Sequence, residues 1–308
     1  MVFPGQGAQT IGMGLALAKA YPAARMVFDE VDTALNESLS SLIWEGDIET
    51  LTLTRNAQPA LMATSMAALA ALRAEGSELT DFAYVAGHSL GEYTALAAAG
   101  AISLADTARL LRIRGDAMQA AVPVGVGAMA AILGLDFASV VEVADEAAQG
   151  EVCEAANDND PAQVVVSGHR AAVERACEIA KARGAKRALM LPVSAPFHCA
   201  LMESAAFVMA EALDNVEIRR PAVPLVANVE AGAVGDPGTI RSLLVEQVTG
   251  AVRWRESVIY MVSQGVTEFW EVGAGKALSG MIRRTAPDVV CKTVGTPDDV
   301  MAAIGDGA

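Results

Sequence analysis

The sequence predicts an α/β fold in which a small ferredoxin-like domain is inserted into a larger domain with a parallel sheet. Short apolar runs with strand character alternate with amphipathic helical runs along the chain. In the middle of the chain these runs follow the order β-α-β-β-α-β, which is the order of a ferredoxin-like unit. We therefore predict a large α/β domain over residues 1–122 and 195–308, and a small domain over residues 123–194.

Three segments of the large domain have a clear local signature. FAYVAG (82–87) is an apolar run between polar residues and a glycine turn, which predicts a buried strand. GEYTALAAAGAI (91–102) is rich in Ala and Leu and predicts a helix. LADTARLLRIRGDAMQAA (104–121) predicts a second helix, which ends before Pro123. Only Met1–Phe3 precede the first glycine-rich loop, so we expect a first strand that is short and less well anchored at its end.

The small domain is predicted from its own alternation of apolar runs and amphipathic segments. A polar stretch, Asn-Asp-Asn-Asp-Pro at 157–161, predicts a turn between two of its strands. A glycine closes the second helix. The predicted strands cover 128–135, 152–157, 162–168 and 186–193, and the predicted helices cover 136–149 and 170–184.

Composition and charge argue against several classes of protein. The 308-residue chain is 53% hydrophobic but has no run of 18 residues free of charges and turn signals, so we predict no membrane span. A net charge of −15 argues against nucleic acid and anionic lipid as partners. The start of the chain lacks the features of a signal peptide, and four widely spaced cysteines favour reduced thiols. We expect a cytoplasmic, monomeric protein without a metal site.

A serine between two glycines is the first candidate for chemistry. Gly87-His88-Ser89-Leu90-Gly91 matches G-x-S-x-G and lies between a predicted strand and a predicted helix, as in the nucleophile elbow of α/β-hydrolases. A tight turn there would expose the serine hydroxyl and aim the first amides of the helix at a developing oxyanion. The motif therefore predicts an α/β-hydrolase-like large domain with Ser89 as nucleophile.

A serine nucleophile needs a base, and the chain has three histidines. His88 adjoins the serine inside the turn, so its side chain should point away from that of Ser89. His169 begins a predicted small-domain helix, where a surface or capping position is expected. His198 remains as the candidate base, and it follows the serine in sequence as the histidine does in α/β-hydrolases.

Longer stretches of the chain match one family in order and spacing. They are FPGQGAQ (3–9), QPAL (58–61), GHSLGEY (87–93), RIRGDAM (112–118), GAMAAILG (127–134), NDNDPAQVVVSG (157–168), PVSAPFHCALM (192–202), VANVEA (226–231) and VGAGKALSGMIRR (272–284). On these stretches the chain resembles the malonyl-CoA:acyl-carrier-protein transacylases over nearly its whole length.

The resemblance implies a ping-pong acyl transfer. Ser89 would attack the thioester of malonyl-CoA with His198 as general base, and the thiol of acyl carrier protein would then attack the malonyl-enzyme. It also implies an oxyanion hole from the backbone N–H groups of Gln6 and Leu90. The main-chain carbonyl of Gln247 would orient the histidine in place of a carboxylate. No cofactor beyond the CoA thioester substrate is implied.

The free carboxylate of a malonyl group needs a cation, and the resemblance assigns this role to Arg114. The residues alone leave an alternative open, since Arg109, Arg112 and Arg114 together could form a solvated helix face. By resemblance, Phe197 belongs to the malonyl-type pattern, in which a bulky residue leaves little room for an α-methyl group. The resemblance also places three polar residues near the site, namely Gln58, Asn157 and Asn159.

Acyl carrier proteins are acidic, so docking to this acidic chain would need a local basic patch. A run of cations in and after the second small-domain helix is the candidate, although an ordinary solvated helix face explains it equally well: Arg170, Lys181, Arg183, Lys186 and Arg187. Other functions stay open beside malonyl transfer in fatty-acid synthesis. They are a serine thioesterase or esterase, a malonyltransferase of a polyketide or malonate pathway, and a non-catalytic carrier-binding scaffold.

Overall fold

The computed structural model describes residues 1–193 and 195–305. The strands are β1 (Val2–Phe3), β2 (Val85–Gly87), β3 (Gly127–Leu133), β4 (Cys153–Asp160), β5 (Gln163–His169), β6 (Arg187–Met190), β7 (Leu225–Val226), β8 (Ala233–Val234), β9 (Glu268–Val272) and β10 (Val290–Val294). The helices are α1 (Leu15–Ala20), α2 (Pro22–Leu35), α3 (Leu39–Glu45), α4 (Ile48–Thr52), α5 (Thr54–Ala74), α6 (Leu90–Ala98), α7 (Leu104–Ala120), α8 (Phe137–Ala148), α9 (Arg170–Ala182), α10 (Glu203–Asp214), α11 (Pro237–Thr249), α12 (Trp254–Ser263), α13 (Ala277–Thr285) and α14 (Pro297–Gly305).

The larger sheet has the strand order β10-β9-β1-β2-β7-β8. Its first five strands are parallel, and β8 adds an antiparallel edge. Strand β1 is short, as expected, but it is well anchored: Val2 and Phe3 are fully buried between β2 and β9. The carboxyl ends of parallel strands are where ligands bind in open α/β sheets, and β1 and β2 both end in glycine-rich loops there.

The smaller sheet is antiparallel, with the order β4-β5-β3-β6. Numbered within this unit, the strands run 2-3-1-4 across the sheet. Helices α8 and α9 cover one face of it, where an apolar core forms from Ala, Val and Ile side chains of strands and helices. This is the predicted ferredoxin-like unit. The predicted domain limits stay a prediction, and Ser194, at one of them, lies outside the described residues.

The predicted turn at 157–161 is wrong for four of its five residues. Strand β4 continues through Asp160, with register shifts after Ala155 and Asp158. Its two aspartates are buried because arginines of the large domain reach them: Arg255 lies 2.8 Å from Asp158, and Arg284 lies 2.8 Å from Asp160. A polar run that indicates a loop in the sequence is therefore part of a strand, and its aspartates form ion pairs with arginines of the large domain.

Smaller differences concern element ends. The strand predicted at 82–87 begins only at Val85, and the helix predicted at 91–102 ends at Ala98. The last small-domain strand, predicted over 186–193, covers Arg187–Met190. Pro192 lies just beyond its end and has no N–H to continue the ladder.

Helix α5 runs through the core and brings α7 close to the site. Gly115 of α7 packs against the backbone of α5, where a Cβ would lie 2.6 Å from the Cα of Arg55. Pro59, inside α5, has no N–H to donate to the Arg55 carbonyl, which accepts a 2.9 Å hydrogen bond from Arg112 instead. In the part of the chain that is described, no helix has the length and hydropathy needed to cross a membrane.

Candidate active site

Ser89 lies at the tip of a tight turn between β2 and α6. Its backbone, with φ 54° and ψ −110°, has the positive φ that non-glycine residues rarely adopt. The glycines of the motif make this turn possible. A Cβ on Gly87 would lie 2.0 Å from the carbonyl group of Gly91, and a Cβ on Gly91 would lie 2.3 Å from the carbonyl oxygen of Phe3.

Side chains from two distant segments hold the backbone of Ser89 in this conformation. The Ser89 N–H donates to Oδ1 of Asn228 at 2.8 Å, and the Ser89 carbonyl accepts from Nε2 of Gln247 at 3.0 Å. Asn228 also donates to the Gly87 carbonyl at 2.7 Å. The turn is thus fixed on both sides of the serine by buried amides.

His198 is the histidine that reaches the serine. Its Nε2 lies 2.8 Å from Ser89 Oγ, and its Nδ1 donates to the main-chain carbonyl of Gln247 at 2.8 Å. A carbonyl oxygen can only accept, so this contact places the proton on Nδ1 and leaves Nε2 with a lone pair toward the serine. The arrangement is that of a nucleophile, a base and an orienting acceptor.

The environment of His198 keeps its imidazole neutral. Burial, and next to it the positive charge of Arg114, lowers the pKa of His198 to about 3, although the Gln247 carbonyl acts in the opposite direction. A neutral imidazole is the form that can take a proton from a hydroxyl. The base is therefore in its active protonation state at neutral pH.

The two other histidines have different partners. Nε2 of His88 lies 2.9 Å from Oδ1 of Asn159, so its hydrogen bond is with the small domain and not with Ser89. His169 precedes α9 and accepts a hydrogen bond at Nδ1 from the Val152 N–H at 3.0 Å. His169 occupies the N-cap position, as expected, but its side chain binds the backbone just before β4 and not the helix.

Arg114 is buried beside the nucleophile. Its side chain is 1% exposed and donates to Gln58 Oε1 at 2.9 Å, to Gln247 Oε1 at 2.8 Å and to Ser89 Oγ at 3.1 Å. All three partners are neutral, and no carboxylate among the described residues forms an ion pair with this guanidinium. Burial lowers the pKa of Arg114 from its ordinary value. The negative charge of Glu92 acts on Arg114 only across the Gln247 side chain, and it raises the pKa of Arg114 against the effect of burial. A buried cation without a direct ion pair is a site for an anion.

The alternative that three arginines form one solvated face is wrong. Arg112 is buried and binds Asn56 and the Glu37 carboxylate, 2.6 Å away. Arg109 alone is exposed, and it pairs with Asp106 on its own helix. The three side chains thus have different surroundings, and only that of Arg114 faces the serine.

A cavity of about 400 Å³ opens over Ser89 and His198. Gln6 and Leu90, the two expected oxyanion-hole residues, both line it. Leu90 begins α6, where the first N–H groups of a helix have no intrahelical partner. The loop that carries Gln6 packs directly on the turn, since a Cβ on Gly5 would lie 2.8 Å from the His88 carbonyl oxygen.

Apolar side chains form much of the remaining wall of the cavity. Phe197 lines it, and Gln58 lies next to Met118, with Nε2 3.8 Å from the sulfur. Asn157 also lines the cavity. Asn159 is not among the residues that line the cavity; its side chain instead contacts Nε2 of His88.

Sequence reasoning assigned no role to two buried residues that support the Ser89 turn. Asn228 binds the Ser89 N–H directly, and the Glu92 carboxylate binds Asn228 and Gln247, which both contact the turn. A signal for Glu92 was present, because a single carboxylate stands in an otherwise apolar helix. Asn228 comes from a segment 139 residues away from Ser89 and has no local signal.

Residues 1–302 match the family model for the acyl transferase domain. Malonyl CoA-acyl carrier protein transacylase of Bacillus subtilis (strain 168) is 47% identical over 304 residues, which cover 98% of this chain and 95% of the relative. The enzyme of the same name from Escherichia coli (strain K12) is 46% identical over 303 residues, covering 98% and 97%.

The chain belongs to the malonyl CoA-acyl carrier protein transacylase family.

Solved structures of this transacylase family share the fold. Acyl-carrier-protein-S-malonyltransferase from Bartonella henselae has 54% identity and a TM-score of 0.97, covering 100% of this chain and 98% of that one. A malonyl-transacylase solved in complex with its type II PKS acyl-carrier protein has 41% identity and a TM-score of 0.96, covering 99% and 98%. Members of the transacylase family therefore have an α/β large domain with a small domain like those described here.

Proposed function

We propose that this chain transfers the malonyl group from malonyl-CoA to the phosphopantetheine thiol of acyl carrier protein, through a malonyl ester on Ser89. One observation supports an acyl donor with a free carboxylate as the substrate class. The Arg114 guanidinium is buried, has only neutral partners and lies 3.1 Å from the nucleophilic oxygen. A short acyl group with a terminal carboxylate would supply the direct ion pair that Arg114 lacks among the described residues.

In the first half-reaction, Ser89 Oγ attacks the thioester carbonyl while His198 Nε2 takes the hydroxyl proton. The negative charge on the carbonyl oxygen is met by the backbone N–H groups of Gln6 and Leu90. The C–S bond then breaks, and His198 returns the proton to the departing CoA thiolate. The products are free CoA and a malonyl ester of Ser89.

The second half-reaction reverses these steps with a different thiol. His198 takes the proton from the phosphopantetheine thiol, whose sulfur attacks the Ser89 ester. Collapse of the tetrahedral intermediate breaks the C–O bond, and the proton goes back to Ser89 Oγ. One thioester replaces another without a change of oxidation state, so the proposed reaction needs no resident cofactor.

The selectivity for malonyl over bulkier acids is assigned to the apolar wall. Phe197 and Met118 line the cavity that contains Ser89. Phe197 would occupy the space that an α-methyl group requires. We extend the proposal to a cytoplasmic location, supported by four cysteine thiols that are free, as in reduced compartments. The monomeric state stays a prediction.

The proposed carrier-docking patch needs a sharper definition than the sequence allowed. Lys181 is paired with Glu178, and Arg183 is paired with two glutamates of α8. Lys186 and Arg187 are exposed and form no ion pair among the described residues. We expect the double variant K186E/R187E to raise the KM for carrier protein, with K181E as the matched control; an unchanged KM would contradict docking here.

Mass spectrometry of the intact protein tests the reaction itself. Brief exposure to malonyl-CoA should add one malonyl group, located on Ser89, and addition of acyl carrier protein should remove it. Folded protein that gains no adduct would overturn the proposal. An adduct that is lost to water as fast as to carrier protein would indicate the thioesterase alternative.

A polyketide pathway is the second candidate, favoured by the likeness to a malonyl-transacylase solved with a type II PKS acyl-carrier protein. Discharge of the malonyl-enzyme by fatty-acid and by polyketide carrier proteins, compared at equal concentration, separates the two. The pathway whose carrier gives the higher kcat/KM is the one supported. A non-catalytic scaffold is disfavoured, because the complete set of Ser89, His198 and Arg114 is assembled around a cavity.

A further inference from the structure

Glu92 is a buried carboxylate that the proposed mechanism does not use. It lies in the first turn of α6, three residues after the nucleophile, and is 1% exposed. Glutamate is rarely buried to this extent without a cation. Among the described residues, its hydrogen-bond partners are neutral: the Asn228 N–H at 3.1 Å and Gln247 Nε2 at 2.8 Å. The Arg114 guanidinium acts on Glu92 only electrostatically, with the Gln247 side chain between them.

A role as a simple helix-terminal charge does not account for these contacts. An acidic residue in a first helical turn is stabilised by the amides of its own helix. The Glu92 carboxylate instead binds α11 and the segment after β7, through Oε2 alone. Its other oxygen, Oε1, is buried and has no hydrogen-bond partner among the described residues. Burial raises the pKa of the Glu92 carboxyl to about 7, so keeping this group here carries a desolvation cost.

The hydrogen bond from Gln247 Nε2 to Glu92 fixes the orientation of the Gln247 side-chain amide. An amide has a donor end and an acceptor end, and a carboxylate oxygen can receive only the donor end. With Nε2 held by Glu92, the opposite end, Oε1, faces Arg114 at 2.8 Å. The same Nε2 donates to the Ser89 carbonyl.

The hydrogen bond from the Asn228 N–H to Glu92 fixes the position of Asn228. With its N–H bound to Glu92, the Asn228 side chain bridges the Ser89 N–H and the Gly87 carbonyl. One carboxylate oxygen thus connects the two amides that hold the backbone of Ser89 at positive φ. Through Gln247 it also connects to the guanidinium expected to bind the acyl carboxylate.

We propose that Glu92 is a positioning residue of the transfer site: its Oε2 acts as a fixed acceptor that aligns Gln247 and Asn228, and through them Arg114 and the Ser89 turn. The part that concerns acyl selectivity rests on the proposed function. The part that concerns the turn rests on the hydrogen bonds alone. In both, the position of the acceptor oxygen matters more than the negative charge.

Two conservative variants separate position from charge. E92Q keeps the side-chain length and an acceptor oxygen but loses the charge. E92D keeps the charge but withdraws the oxygen by about one C–C bond length, roughly 1.5 Å. T94V is the matched control, because Thr94 is equally buried on the same helix and its hydroxyl has no hydrogen-bond partner among the described residues.

The readouts are kcat and KM for malonyl transfer, the ratio of kcat/KM for malonyl-CoA to that for acetyl-CoA, and the rate at which a fluorophosphonate labels Ser89. We expect E92D to lose about 30-fold or more in kcat/KM, to label more slowly and to lose malonyl preference. E92Q, like T94V, should stay within about five-fold of wild type in kcat/KM for malonyl transfer, in the malonyl-to-acetyl ratio and in the labelling rate.

Every other pattern overturns the proposal. If both variants match T94V, Glu92 positions nothing; if E92Q is impaired more than E92D, the charge is what matters. If E92D does not fold, an E92Q protein with less than about a tenth of wild-type kcat/KM is sufficient to reject the idea. Labelling of Ser89 by the fluorophosphonate does not involve a malonyl group. A wild-type chain that fails to transfer malonyl would therefore reject the proposed function, and the labelling rates of E92D and E92Q would still test the role of Glu92.

Discussion

The main-chain carbonyl of Gln247 accepts a 2.8 Å hydrogen bond from Nδ1 of His198, at the position where a serine hydrolase triad has a carboxylate. A carbonyl orients the imidazole as a carboxylate does, but it adds no negative charge to stabilise the protonated ring. Burial, and next to it the positive charge of Arg114, strongly biases the imidazole toward its neutral form. This relationship gives the site a distinctive dependence on pH.

The stability of the protein should reflect this bias. In the unfolded chain His198 takes up a proton near pH 6.5, whereas in the folded protein its pKa is about 3. The unfolded state therefore binds more protons between these values, and the free energy of unfolding contributed by His198 falls as the pH drops. We expect wild type to lose about 2 kcal/mol more than H198Q between pH 6.5 and pH 5 in denaturant titrations. Equal losses in the two proteins would contradict the buried neutral imidazole.

Removal of the base should slow acylation of Ser89 without unfolding the protein. H198A is expected to reduce kcat by about 10²–10⁴-fold, the usual contribution of a positioned general base. Stopped-flow or quenched formation of the malonyl-enzyme measures this. H169A is the control, because His169 binds the Val152 backbone of the small domain and does not line the cavity, so the rate of H169A should equal that of wild type.

Arg114 should determine the preference for a carboxylated acyl group. R114A removes the guanidinium but leaves Ser89 and His198 in place, so malonyl transfer should fall by about 10²-fold or more while acetyl transfer is unchanged or improved. Steady-state rates with malonyl-CoA and acetyl-CoA give the ratio. R109A, on the exposed face of the same helix, should keep the wild-type ratio of malonyl to acetyl transfer. If R114A loses activity equally with both donors, Arg114 does not bind the acyl carboxylate.

Gly91 should tolerate no side chain even though it lies in a helix. Glycine to alanine in an exposed helix interior normally stabilises a protein by about 1 kcal/mol. G91A would instead place a Cβ against the Phe3 carbonyl, 2.3 Å away, and should cost about 3 kcal/mol or more together with Ser89 reactivity. G280A in α13 is the matched control, since its Cβ would meet only the end of the Arg284 side chain at 3.4 Å. Thermal unfolding of both variants makes the comparison.

The ion pair between Arg255 and the buried Asp158 should hold the small domain to the large one. R255A would leave the Asp158 carboxylate buried without its cation, at a cost of about 3 kcal/mol. R219A removes one partner of a fully exposed pair with Glu217 and should change stability by less than about 0.5 kcal/mol. Chemical denaturation followed by tryptophan fluorescence measures both; a result in which R255A is as stable as R219A would mean that the interdomain pair contributes nothing.

The sequence by itself determined the α/β class, the inserted β-α-β-β-α-β unit and the nucleophile turn. These are local properties, because a glycine pattern at 87–91 and an apolar run before it restrict the backbone without help from distant residues. The resemblance to the transacylase family then supplied the remaining candidates. His198, chosen by elimination among three histidines, is the one within hydrogen-bond distance of the serine.

The tertiary structure alone decided which charges are functional. Arg109, Arg112 and Arg114 lie on one predicted helix and the sequence does not distinguish them. In the structure Arg109 forms a surface ion pair, Arg112 is a buried structural contact, and Arg114 hydrogen-bonds neutral groups beside Ser89. The aspartates of β4, which suggest a turn, are buried because Arg255 and Arg284 reach them from the other domain. Glu92, Asn228 and Gln247 meet around one serine from segments far apart in the chain. A local pattern cannot contain such contacts, since the free energy of burying a charge depends on which distant groups fold against it.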